Sequence, residues 1–209
     1  MVDRQLRRRG IGDERVLAAM EAVPRELFVP EEIRGRAYAD AALPIGSEQT
    51  ISQPWIVAAI CQALELRGHE TVLEVGGGSG YSAAILATLS ERVISIERLP
   101  ELAAAARDSL ARAGLDERVE VIVADGSLGH DDSAPYEAIA VHAAVPEPPP
   151  TLLRQLAPGG RLVAPVGDGR AEALTLFTRR RHDAKTFATH RIAPCRFVPL
   201  IGAEGFRER

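Results

Sequence analysis

From Thr71 onward the chain repeats one pattern: short apolar runs of strand length alternate with alanine- and leucine-rich segments of helix length. TVLEV (71–75), RVISIE (92–97), RVEVIVAD (118–125), YEAIAVH (136–142) and GGRLVAPV (159–166) read as strands. Helices are expected from near Ser79, over Pro100–Ala113 and in PPTLLRQL, and ALTLFTRR and KTFATHRI are two further strand candidates. Strands that alternate with helices at this spacing predict an α/β fold: a Rossmann-like, doubly wound, mostly parallel seven-stranded sheet with helices on both faces. Ligands of such sheets bind outside the carboxyl ends of the strands, where the strand order reverses. The loops after Val75, Ile96, Ala124 and Val141 should therefore surround one cleft.

The first third of the chain reads differently. DERVLAAMEA (13–22) is a short helix with Asp13 as N-cap and Val16, Leu17 and Met20 on one face. Pro24 and Pro30 then punctuate the chain, and the stretch to Thr50 reads as largely irregular. Loops of that length in a compact domain tend to be functional, so a lid over the site is one expectation for Gly10–Thr50. PWIVAAICQALEL (54–66) is a helix with Pro54 in its first turn and Gly68 just past its end. The reading is one domain over 1–209: an N-terminal helical and substrate-site segment, 1–66, and a cofactor-binding core, 67–209.

Composition narrows the function classes. The net charge of −4 over 209 residues argues against a nucleic-acid partner, which would need concentrated positive charge. Arg4 and Arg7–Arg9 form one local basic run, read as a solvated helix face. No apolar run is long enough to span a bilayer, and the polar first fifteen residues lack the apolar stretch of a secretory signal. Cys61 and Cys195 are unclustered, which fits a reducing compartment and gives no metal-ligand spacing. The expectation is a cytoplasmic monomer with no membrane, nucleic-acid or metal partner.

The chemistry concentrates after the first strand of the repeat. Glu74-Val75-Gly76-Gly77-Gly78-Ser79-Gly80 places glycines where a backbone must approach a ligand closely. Tyr81 occupies the last glycine position of the dinucleotide fingerprint, so the spacing is G-x-G-x-G instead. Glu97 ends the next strand about 20 residues on, where a carboxylate can accept hydrogen bonds from both hydroxyls of a ribose. Asp125-Gly126, after the third strand, falls where such folds contact an adenine ring, although Asp-Gly is also an ordinary turn.

VLEVGGGSGY, VISIER, VIVADG, EAIAVHAA and LLRQLAPGGRLVAPVG together resemble the ordered motifs of class I methyltransferases. AMEAVPRELFVP, AYADAALPIGSEQTISQP and the late RFVPLIG extend the resemblance over nearly the whole chain to the protein-L-isoaspartate O-methyltransferase family. The resemblance implies S-adenosyl-L-methionine as cofactor, held by Thr50, Glu74, Gly76, Gly77, Gly78, Gly80, Glu97, Arg98, Asp125 and Gly126, with Glu74 near its methionine end. It implies methyl transfer to the α-carboxyl of L-isoaspartyl residues in damaged proteins or peptides, whose ester collapses to a succinimide that reopens in part to aspartate. Ser52 matches the family's active-site serine, and Gln53, Val198, Pro199 and Leu200 its substrate-facing positions.

The chemistry suits that residue set. An α-carboxyl ionises near pH 3.5, so at neutral pH it needs no general base. Catalysis then rests mainly on positioning. Ser52 is read as a donor that holds the acceptor carboxylate, beside its other reading as N-cap of the following helix. An extended segment at 198–200 could pair with the acceptor backbone as an added strand. Three positions depart from the family pattern: Gly77 for Thr or Ser, Ser47-Glu48 where a glycine should precede Gln49, and His142 for Thr. A carboxylate at Glu48 could repel an anionic acceptor, and a histidine at 142 is read as an ordinary strand-end residue. Rival readings are a sibling enzyme acting on an aspartate of a dedicated peptide and a non-catalytic cofactor-binding module. A dinucleotide oxidoreductase and a nucleic-acid methyltransferase are disfavoured by Tyr81 and by the charge balance.

Overall fold

A computed structural model describes residues 1–169 and 171–208, with the side chains of residues 184 and 185 left aside. Its centre is a seven-stranded sheet built from β3 (Thr71–Val75), β4 (Arg92–Glu97), β5 (Val119–Val123), β6 (Tyr136–Val141), β7 (Leu156–Gly167), β8 (Glu172–Arg180) and β9 (Asp183–Cys195). The strand order is β5-β4-β3-β6-β7-β8-β9. The pairs from β5 through β7 are parallel, and β8 and β9 add an antiparallel edge. After β3 the chain first builds outward through β4 and β5, then returns to lay β6 on the other side of β3. The reversal of strand order thus falls between β3 and β6, and the predicted doubly wound sheet is the one observed.

Period-two alternation sends neighbouring strand residues to opposite faces. Val72, Val93, Val119, Ala138 and Val163 pack on one face with α1 (Glu14–Ala22), α2 (Pro54–Leu64) and α3 (Tyr81–Leu89). Ala103 and Leu110 of α4 (Pro100–Arg112) join this face. Leu73, Ile94, Ile139 and Leu162 pack on the other with Leu152 of α5 (Pro150–Gln155) and with Leu200. The first cluster also takes in Leu6, Ile11, Phe28, Ala37 and Leu43, so the N-terminal third shares the main core.

Three local expectations need correction. The stretch before Thr50 is not irregular: it holds short 3-10 turns at Arg25–Phe28 and Glu31–Arg36 and a hairpin of β1 (Leu43–Gly46) and β2 (Gln49–Ile51). The second helix stops at Leu64, because Glu65 adopts a left-handed conformation (φ 50°) and caps it before Gly68 is reached. The segment 159–166 is the middle of a longer strand, β7. Asp13 does cap α1, its carboxylate accepting the amides of Arg15 and Val16.

Candidate active site

The carboxyl ends of β3, β4 and β6 meet at one cleft lined by Gln49, Thr50, Val75, Gly76, Gly78, Ile96, Glu97, Arg98, Leu99, Gly126, His142, Ala143 and Val198–Ile201. The glycine loop forms its floor. Gly76, Gly78 and Gly80 all have positive φ (84°, 53° and 83°), a region costly for residues with a Cβ. The amides of Gly76 and Gly77 bond to the Ile96 carbonyl, which ties the loop to the end of β4.

Glu97 is held from two sides: Oε2 accepts the Gly78 amide at 2.8 Å and Oε1 the Leu99 amide at 2.9 Å. Each oxygen keeps acceptor capacity, and only 7% of the residue is exposed. A fixed bidentate acceptor in a cleft fits the two hydroxyls of a ribose. Gly126 closes against β3: a Cβ there would stand 2.6 Å from Val75 Cγ1, so only glycine leaves a flat wall of the kind an adenine ring needs. This acceptor carboxylate and flat wall therefore fit an adenosyl cofactor. Arg98 borders the cleft and pairs with Glu208 at 3.2 Å.

The Asp125 carboxylate turns instead to the chain's own backbone. Oδ1 accepts the Ser127 amide and hydroxyl, and Oδ2 accepts the Ala203 amide at 2.7 Å. Burial alone would raise its pKa, but the Ala203 and Ser127 donors hold the carboxyl below its ordinary range.

Ser95, Glu74 and His142 follow from alternation on three adjacent strands, since all three side chains point to the same face beneath the loop. Glu74 is fully buried and accepts the Ser95 hydroxyl at 2.5 Å. His142 Nε2 lies 3.6 Å from Glu74 Oε1, and neither that oxygen nor either ring nitrogen has a hydrogen-bond partner among the described residues. Burial pushes the Glu74 carboxyl up to about 8, against the pull of Ser95, and pushes His142 down to about 4. Burial thus favours the neutral form of each. Gly77 covers them, and a Cβ at that position would meet Ser95 Oγ at 2.4 Å.

A second hollow adjoins the cleft, lined by Arg9, Ala42, Thr50, Ser52, Gln53, Trp55, Ile56, His142 and Pro194–Val198. Thr50, His142 and Val198 border both spaces and mark where they join. Ser52 does not cap α2: the N-cap is Gln53, with no side-chain capping bond. The Gln53 amide instead donates to Asp40, which pairs with Arg9, whose guanidinium stacks on Trp55 at 4.8 Å. Val198 and Leu200 bond to the Ala144 backbone, so by alternation Phe197 and Pro199 face the opposite edge.

The structure thus brings Thr50, Gly76, Gly78, Glu97, Arg98, Gly126 and 198–200 to one cleft, and Ser52 and Gln53 to the space beside it. Glu74 lies beneath the loop, Gly77 sits in the loop directly over it and outside the cleft lining, Gly80 packs against Ala106, and Glu48 lines neither space. Sequence reasoning missed Gln49, Leu99 and Ile201 in the cleft and Arg9, Trp55 and Phe197 in the hollow. Arg9 was read as part of a solvated basic run, and Trp55, the sole tryptophan, is the one signal in the sequence that could have marked the hollow.

A doubly wound sheet with a glycine loop, a fixed carboxylate on the next strand and an adjoining acceptor space defines a class I S-adenosylmethionine-dependent methyltransferase. The comparisons with known proteins carry the assignment further. The chain belongs to the protein-L-isoaspartate(D-aspartate) O-methyltransferase family, whose model matches residues 1–205. It is 52% identical to protein-L-isoaspartate O-methyltransferase of Methanoculleus marisnigri, over 99% of this chain and 92% of that one. It is 53% identical to protein-L-isoaspartate O-methyltransferase 2 of Marinobacter nauticus, over 99% and 93%. A solved protein-L-isoaspartate O-methyltransferase superposes with a TM-score of 0.86 at 28% identity, covering 98% of this chain and 67% of that chain. The fold is also that of a Plasmodium falciparum protein solved with S-adenosyl-L-homocysteine (TM-score 0.82, 24% identity, 96% of each chain). The chain is a methyltransferase that uses S-adenosyl-L-methionine and acts on isoaspartyl residues of proteins.

Proposed function

We propose that the cleft holds the cofactor and the adjoining hollow the acceptor, with the methyl group passed at their junction beside Thr50, His142 and Val198. The observation that carries this reading is the Ser52 hydroxyl: it lines the hollow and makes no hydrogen bond to any described residue. The cofactor supplies an electrophilic methyl on a sulfonium. The ionised α-carboxyl of an isoaspartyl residue attacks it without a base, so the protein's part is to hold the two in line. Ser52 donates to the acceptor carboxylate, and Glu97 and Gly126 fix the adenosyl end, while Glu74 supports the loop from below. The edge of 197–199 facing away from Ala144 takes the acceptor backbone, which gives tolerance of varied flanking sequence. Residues 1–66 and 67–209 work as one unit, and the acidic balance and two free cysteines fit a monomer in the cytoplasm. Among the described residues no helix is long and apolar enough to cross a membrane.

Ser52→Ala tests the assignment. Loss of one positioned donor should lower kcat/KM for an isoaspartyl peptide by roughly 10- to 100-fold, with adenosylhomocysteine affinity within twofold of wild type. Unchanged kcat/KM would remove Ser52 from the acceptor site.

A further inference from the structure

Arg25 lies in the 3-10 turn after α1, and its side chain is fully buried. Nε donates to the Ala37 carbonyl and Nη2 to the Ser52 carbonyl, each at 2.7 Å. The guanidinium sits 4.6 Å over the ring of Tyr81, the first residue of α3 and the neighbour of Gly80. Among the described residues no carboxylate pairs with it and Nη1 has no hydrogen-bond partner. Burial accordingly pulls its pKa below the ordinary arginine value. A cation buried without an anion is costly, and a well-packed apolar side chain would serve stability as well or better.

What the arginine supplies is a link. The first bonds of α2 run from Ile56 and Val57 to Gln53, so the Ser52 carbonyl has no backbone partner among the described residues. Arg25 holds it, and the same planar group is stacked on the helix that follows the glycine loop.

We propose that Arg25 is a positioning residue for methyl transfer: it fixes the Ser52 backbone, and with it the Ser52 hydroxyl, relative to the cofactor loop. The proposal rests on the acceptor role given to Ser52 above. Lysine keeps the charge but has no rigid fork to reach two carbonyls while lying flat on a ring. Arg25→Lys should therefore not restore function. Arg25→Met replaces an unpaired buried charge with an apolar chain of similar length, and should fold.

The test is a double-mutant cycle with Ser52→Ala on an isoaspartyl peptide, accompanied by hydrogen exchange of residues 50–54 with adenosylhomocysteine bound. Arg25→Lys and Arg25→Met should each lower kcat at least tenfold in the wild-type background and less than twofold on Ser52→Ala, with cofactor affinity within twofold. Exchange at 50–54 should quicken in both. An equal fold-loss in the two backgrounds, or unchanged exchange, would overturn the proposal and leave Arg25 a packing residue. The exchange measurement needs no acceptor. A wild-type protein inactive on isoaspartyl peptides would thus sink the reading of Ser52 while exchange still decides the link made by Arg25.

Discussion

Glu74 and His142 lie side by side beneath the glycine loop, each shifted so as to be neutral. An acid whose folded pKa is raised binds its proton more tightly when folded, so Glu74 loses stability as pH climbs from its ordinary 4.5 to about 8. His142, lowered from 6.5 to about 4, gains stability as pH rises through that lower range. The two offset each other up to pH 6.5, and Glu74 alone acts between 6.5 and 8. Urea unfolding should then show stability falling by on the order of 1–2 kcal/mol across that window, and Glu74→Gln should flatten the fall. A wild-type stability that rises from pH 6.5 to 8 would contradict the neutral pair. At this scale the sequence was legible where chemistry and position coincide, as in Glu97 at the end of β4. It was silent on Arg25, since an arginine between Pro24 and Glu26 reads as exposed until the fold buries it under Ser52.

The β1–β2 hairpin is the element that sequence reading missed. Its turn, Ser47-Glu48, has positive φ at both residues (48° and 57°), a conformation that two-residue hairpins favour and that Asn-Gly normally provides. Without those residues the segment reads as loop, and its strands are only four and three residues long. Ile45 packs over the glycine loop, 3.4 Å from where a Gly78 Cβ would stand, and the Ser47 hydroxyl donates to Glu101 at the start of α4. The hairpin is thus fastened across the cleft proposed for the cofactor. Leu43 and Ile51 anchor it in the core, so the segment before Thr50 is tied down at its base as well as at its tip. Glu48→Gly should relieve a left-handed side chain and raise stability by about 0.5–1 kcal/mol, read as a higher Tm with unchanged acceptor KM. A lower Tm would show that the turn carries no strain, and a lower KM would restore Glu48 as a charge facing the acceptor.

Across the molecule, the parallel sheet and its order of motifs were readable because each βα unit is local in sequence. The C-terminal closure was not, because it depends on contacts between distant segments. Ala203 bonds to Asp125, the Glu204 amide to Ser127, and the Glu204 carboxylate to Thr151, while Ile201 lines the cleft. The tail therefore braces the wall expected beside the adenine, and Asp125 serves as its anchor. Deleting residues 201–209 should lower adenosylhomocysteine affinity at least tenfold, measured calorimetrically, while circular dichroism keeps the α/β signature. Unchanged affinity would confine the tail to packing.

The central claim is that this cleft and hollow together methylate an isoaspartyl carboxyl. Radiolabelled methyl transfer from S-adenosyl-L-methionine to paired peptides, identical except for isoaspartate or aspartate, tests it directly. Base-labile label is expected on the isoaspartyl peptide alone, reduced by Ser52→Ala. Label on the aspartyl peptide, or tight cofactor binding with transfer to neither, would contradict it.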